Sequence, residues 1–150
     1  LRPFRETQPA DWRPYIDVNL YGVMNCCRAV IDGMCERGFG RIVTISSGAG
    51  TMGLAIGVSP YAAGKGGGIA FMRHLALETA ARGVTANTVA LGLVAAPGDP
   101  ARMESLARSL PVRRLGSPDE IGALCVYLAS DEAGWMTGQT LELNGGARTT

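Results

Sequence analysis

Two side chains suited to proton chemistry, Tyr61 and Lys65, stand four residues apart in the phrase Ser-Pro-Tyr-Ala-Ala-Gly-Lys. Ser59 reads as a helix N-cap and Pro60 as the first helical residue, where a missing N–H costs nothing. Residues i and i+4 share one helix face, so the phenol and the ammonium emerge side by side. A tyrosine titrates near ~10, and an adjacent cation favours its ionised form. The pair is a candidate acid/base couple for moving a proton to or from an alcohol oxygen. By itself such spacing often arises by chance, with the lysine exposed and the tyrosine packed.

Composition and neighbours favour the chemical reading. The sequence has 14 basic residues, and Lys65 is the single lysine among them. Lysine offers a point charge on a flexible stem, which arginine's planar fork does not reproduce. Upstream, Arg41 to Ile45 is a short apolar run rich in β-branched residues, preceded by Gly38-Phe39-Gly40. It reads as a buried parallel strand. Ser46 and Ser47 follow at its carboxyl end, where open α/β sheets bind ligands.

Strand, Ser-Ser, Gly-rich loop and Tyr-x-x-x-Lys together resemble the short-chain dehydrogenase/reductase family, in particular its 3-oxoacyl-carrier-protein reductase-like members. The resemblance places the catalytic serine on Ser47, with Ser46 as the alternative, because the Ser47–Tyr61 interval is one residue longer than usual. It implies that Lys65 lowers the tyrosine pKa and holds the nicotinamide ribose. It also implies that Asn19, in the phrase Asp-Val-Asn-Leu-Tyr-Gly, holds a water linking the lysine to solvent. NAD or NADP is the implied cofactor, without a choice between them. Tyr61, Lys65, Gly92 and Val94 are its expected contacts, and a small alcohol or ketone is the expected substrate.

The departures are local. Leu91-Gly92 stands where Pro-Gly is usual, and Ala96 where a threonine often bonds the nicotinamide amide. Asn144 stands where aspartate is usual. Gly92 still permits close backbone approach.

The elements that must position these residues follow in order. Pro9 to Trp12 starts a helical turn, and an amphipathic helix runs from Val18 to Arg37, ending near Gly38. The Tyr61 helix continues to Ala81. Val84 to Leu91 reads as the next strand. Pro97 to Pro111 reads as a loop with a possible short helix, either a substrate lid or plain packing. Ser117 to Glu120 is a capping box opening the helix Asp119 to Ala129. Thr140 to Leu143 is a final strand. His74 reads as structural or exposed.

The expected fold is the carboxyl-terminal part of a doubly wound parallel α/β domain, residues 1–150 supplying the fifth to seventh strands with their helices. No G-x-G-x-x-G follows a strand, so the opening β-α units are expected to lie outside this chain. The fifth strand would then expose an edge. The isolated chain is accordingly expected to bind NAD(P) too weakly to measure. The alternative to the enzyme is a catalytically silent fragment serving as a structural or association module.

A hydrophobic content of 47% with 18% charged residues describes a folded chain. A net charge of +1 points to neither nucleic acid nor an anionic membrane. No apolar run approaches the ~18 residues of a membrane span. The cysteines, Cys26, Cys27, Cys35 and Cys125, form no C-x-x-C pair, so no metal site is expected. They suit a reduced, cytoplasmic protein. Small or apolar residues on several faces of the two long helices (Cys26, Ala29 and Met34; Gly67, Ala70 and Phe71) lead to an expectation of dimers or tetramers.

Overall fold

The computed structural model describes residues 1–149. Its elements in chain order are α1 (Pro9–Ile16), a π turn (Asp17–Tyr21), α2 (Gly22–Arg37), β1 (Gly40–Ser47), α3 (Ser59–Thr79), β2 (Val84–Leu91), α4 (Pro100–Ser109), α5 (Pro118–Ala129) and β3 (Thr140–Leu143). The three strands form one parallel sheet in the order β1-β2-β3. This is the α/β architecture read from the sequence.

Alternation across the sheet divides its two faces. Ile42 lies opposite Ala86, and both pack with Cys27 of α2 and Met72, Leu75 and Ala76 of α3. Arg41, one residue earlier, points the other way and donates from Nε to the Ser130 carbonyl at the end of α5, 3.1 Å away. Seven of the eight residues of β2 are buried, as a central strand covered on both faces requires. β1 pairs only on its β2 side among the described residues. The Gly40 N–H donates to Gly83, so by alternation Arg41, Val43, Ile45 and Ser47 turn their backbone groups towards the opposite, open edge.

Three elements differ from the sequence reading. Helical structure runs without a gap from Pro9 to Arg37, where a separate first turn and a helix from Val18 were expected. The join is the π turn, in which the Gly22 N–H reaches back five residues to Asp17. The Asn19 side chain supplies a reason: its Nδ2 donates to the Tyr15 carbonyl at 2.9 Å, the acceptor that its own backbone N–H would use in an α-helix. At α3, the N-cap is Val58 and not Ser59, and it makes no side-chain cap bond. Ser59 and Pro60 occupy the first two helical positions, where a missing N–H is equally harmless. Finally, Pro100–Ser109 is a full α-helix capped by Asp99, whose carboxylate accepts from the Ala101 and Arg102 N–H groups at 3.2 Å.

Candidate functional site

α3 lies where the site must form because glycines let its neighbours approach. A Cβ on Gly64 would sit 2.7 Å from the Tyr15 carbonyl, and one on Gly68 3.2 Å from the Asn19 carbonyl. On the other side, a Cβ on Gly50 would come within 3.0 Å of the Lys65–Gly66 backbone. The α1–π segment and the loop after Ser47 therefore both rest directly on the turn of α3 that carries Lys65. Tyr61 stands one turn earlier, its ring edge-to-face with Tyr15 at a centroid distance of 6.3 Å.

Tyr61 and Lys65 emerge on one side of α3, with Lys65 Nζ 5.9 Å from the Tyr61 ring centre. The ammonium donates to the Ile45 carbonyl at 2.9 Å, one of the acceptors on the open edge of β1. Burial holds the Lys65 pKa below its ordinary value, since a half-buried ammonium loses hydration. Lys65 is thus tied to the strand that ends in the two serines.

The serines divide the work. Ser46 is buried, and its hydroxyl donates to the Lys65 carbonyl at 3.3 Å, joining β1 to α3. Ser47 is half-buried; its Oγ accepts from the Ala49 N–H at 3.2 Å and keeps its proton free to donate. Asn19 lies one turn from Tyr15, with its carbonyl against Gly68 of α3. Ser47 adjoins Ser46, the residue bonded to Lys65.

Gly92 and Val94 lie on the next connection. The Gly92 N–H bonds the Leu143 carbonyl at 3.0 Å, and a Cβ there would strike Asn144 at 2.7 Å, so glycine is needed for the strand end to pass. Val94 bridges Gly116 through the Gly116 N–H to Leu93 and the Ala95 N–H to Gly116. That pattern leaves Val94's own N–H and carbonyl facing away from Gly116.

A cavity of about 470 Å³ opens beside Tyr61, walled by Tyr15, Pro60, Val58, Thr7 and the Arg2–Asp11 ion pair. Tyr15 went unnoticed in the sequence, although it stands four residues before Asn19 and so on the same face. Among the described residues no group of metal-ligating side chains occurs, and no helix is long and apolar enough to cross a membrane. His74 is exposed.

A parallel α/β sheet with a strand ending in Ser-Ser, tied to a helix that carries a Tyr–Lys pair, defines a class, and known proteins specify it. Residues 1–148 match the family model described as enoyl-(acyl carrier protein) reductase. The chain belongs to the short-chain dehydrogenase/reductase family. It is 45% identical over 150 residues to the acetoacetyl-CoA reductase of Allochromatium vinosum, covering 97% of this chain and 60% of that one. It is 43% identical over 141 residues to the 3-oxoacyl-[acyl-carrier-protein] reductase of Vibrio harveyi, covering 91% and 57%. Among solved structures, an NAD-bound 3-oxoacyl-[acyl-carrier protein] reductase from Brucella melitensis superposes with a TM-score of 0.91 at 36% identity, covering 99% of this chain and 56% of that one. A gluconate 5-dehydrogenase from Burkholderia cenocepacia, in complex with NADP and tartrate, gives a TM-score of 0.89 at 32% identity, over 97% and 59%. The chain thus spans about 60% of the length of the curated relatives it matches.

Proposed function

We propose that these residues carry the proton-transfer machinery of an NAD(P)-dependent oxidoreductase that interconverts a secondary alcohol and a ketone. The observation that supports it is a phenol and an amine on one side of α3, the amine bonded to Ile45 of the strand that ends in Ser46 and Ser47. The ketones named in the relatives make 3-oxoacyl thioesters the first substrates to assay.

In reduction, the Tyr61 phenol donates its proton to the carbonyl oxygen as that oxygen gains charge. The Ser47 hydroxyl, whose proton is free, donates to the same oxygen and stabilises the developing alkoxide. Lys65 places its amine 5.9 Å from the phenol ring, where a positive charge offsets the charge that forms as the proton leaves. Through solvent the amine can also exchange a proton with the phenolate. Asn19, beside Gly68 on the buried side of α3, supports that exchange. A nicotinamide dinucleotide, when bound, supplies or accepts the hydride. Val94's outward N–H and carbonyl fit a carboxamide, and Lys65 fits a ribose hydroxyl; Gly92 lets the strand end close behind them. NAD and NADP fit this end equally well.

The exposed faces of α2 and α3 fit self-association into a dimer or tetramer. Cys26, Ala29 and Ala70 are exposed, as that requires. Three other residues expected there are used internally: Met34 packs on Gly40, Gly67 lies under Leu20, and Phe71 joins the core.

The test is turnover of a 3-oxoacyl thioester by the intact protein with each dinucleotide, parent beside Tyr61→Phe. The parent is expected to consume reduced cofactor, and the variant to lose roughly a thousandfold or more in kcat with its fold unchanged. A Tyr61→Phe protein with near-parental kcat would remove the assignment of Tyr61, and a parent without turnover would leave the association module as the better reading.

A further inference from the structure

The chain's last described turn reaches back to the loop that carries Ser47, and none of its residues belongs to the machinery above. After β3, Gly145 and Gly146 adopt positive φ, 62° and 82°, and reverse the backbone. Asn144, 7% exposed, stitches the reversal: its Oδ1 accepts from the Gly146 N–H at 2.9 Å, and its Nδ2 donates to the Arg148 carbonyl at 3.2 Å. The same Nδ2 lies 3.3 Å from Oε2 of Glu142, on β3. The turn thereby brings the Arg148 guanidinium over the sheet end. There its Nη1 lies 3.4 Å from Oε1 of Glu142 and 2.5 Å from the Thr51 carbonyl, 97 residues away in sequence.

Thr51 closes the tight turn that begins at Ser47. The Gly48 carbonyl accepts from the Thr51 and Met52 N–H groups at 3.1 and 2.9 Å and from the Thr51 hydroxyl at 3.1 Å. Ser47 Oγ accepts from Ala49 inside that turn. The turn's inner side rests on α3 through Gly50, and its outer side is gripped by Arg148. A charged donor on a carbonyl makes a stronger bond than a neutral one, and a half-buried ion pair with Glu142 fixes the donor's position.

We infer that Arg148, held by Glu142 and Asn144, is a positioning residue that clamps the Gly48–Thr51 turn onto α3 and so sets the place of the Ser47 hydroxyl relative to Tyr61. This rests on the proposed role of Ser47. The clamp acts on the turn alone. Its loss therefore leaves the dinucleotide contacts at Lys65 and Val94 in place and misplaces the one donor at the strand end.

The experiment compares Arg148→Met and Arg148→Lys in the intact protein, each in the parent and in a Ser47→Ala background. Kinetics are read together with amide hydrogen exchange. In the parent, Arg148→Met is expected to lower kcat roughly tenfold with the KM for dinucleotide unchanged, and to speed exchange at Ala49–Met52 by about tenfold or more while β2 stays protected. Arg148→Lys, which keeps one charged donor, should recover most of both. In the Ser47→Ala background neither substitution should reduce kcat further, because two changes acting through one group do not add. Parental kcat and exchange in Arg148→Met would overturn the inference, as would an equal kcat loss in the Ser47→Ala background. If Arg148→Met fails to fold, Arg148→Lys is judged by the same two criteria with smaller changes. A parent without ketone turnover would defeat the functional reading alone, and the exchange measurement would still decide whether Arg148 holds the turn.

Discussion

The contact between α3 and the α1–π segment is built by removing side chains; the flank formed by α4, α5 and their connection is built by adding them. At the first, Gly64, Gly67 and Gly68 bring α3 against the Tyr15 and Asn19 carbonyls and the Leu20 side chain. At the second, exposed polar groups do the holding. Asp99 caps α4, Arg114 pairs with Glu120 across 2.5 Å, and Glu120 Oε2 accepts from the Ser117 N–H at 2.8 Å. The difference is one of tolerance. Backbone against backbone admits no error of even a fraction of an ångström. Exposed ion pairs contribute little each and can shift without consequence. Tyr61 and Lys65, the proposed proton-transfer groups, lie on the intolerant contact.

The strongest way to break the comparison is at the charge itself. Lys65→Arg keeps the sign but changes the shape, and kcat should fall roughly a hundredfold while the folding midpoint changes little. A parental pH–rate profile would mean that Lys65 needs no defined geometry. Next comes Gly64→Ala, which should cost about 1–3 kcal/mol in denaturant unfolding, because the new methyl must push the Tyr15 carbonyl aside. Gly122→Ala is its counterpart on the tolerant flank. Gly122 is a helical glycine with no atom near its missing Cβ, so alanine should stabilise by about 0.5–1 kcal/mol. Equal signs for the two glycines would erase the distinction drawn here.

The smallest effect is a pH dependence. The Arg114 guanidinium, aided by the Ser117 N–H, lowers the Glu120 pKa from 4.5 to about 2. A depressed carboxylate pKa contributes stability that is present above the unfolded value and lost as pH falls through the folded one. Glu120's contribution should therefore be complete above 4.5 and fade between there and about 2. Glu120→Gln should flatten that part of the acid limb in a urea series, and an unchanged limb would show the pair to be idle.

The tolerant flank was the legible one. Ser117 and Glu120 announce a capping box by type and spacing, and the structure has both of its bonds. β3 was readable as Thr140–Leu143, and β1 and β2 as β-branched apolar runs. Caps and strand patterns are local, so neighbours in sequence suffice to show them. The Tyr61–Lys65 pair was likewise visible in its spacing. What lay beyond reading depends on contacts between distant segments: the Ile45 carbonyl as the lysine's acceptor, Arg148 on Thr51, and the exposed face of α2 narrowed by Met34 turning inward. Ser59 misled because serine and proline suit either of two adjoining positions at a helix start. The π turn hid because it comes from one side chain taking a backbone acceptor, and asparagine has no fixed habit of doing so.

That turn has a consequence for how the chain can change length. A π turn is an α-helix that has accommodated one residue too many. Sequence spacing across it is therefore shifted by one residue, about 100° of rotation, from that of an unbroken α-helix, while the turns on either side keep their places. Deleting one residue between Asp17 and Tyr21 would restore a regular helix with Tyr15 still beside Tyr61. A deletion within α2 has no such surplus to draw on and would rotate the turns on one side of it by that amount. The π turn is thus the place where this helix can lose a residue and keep its contacts.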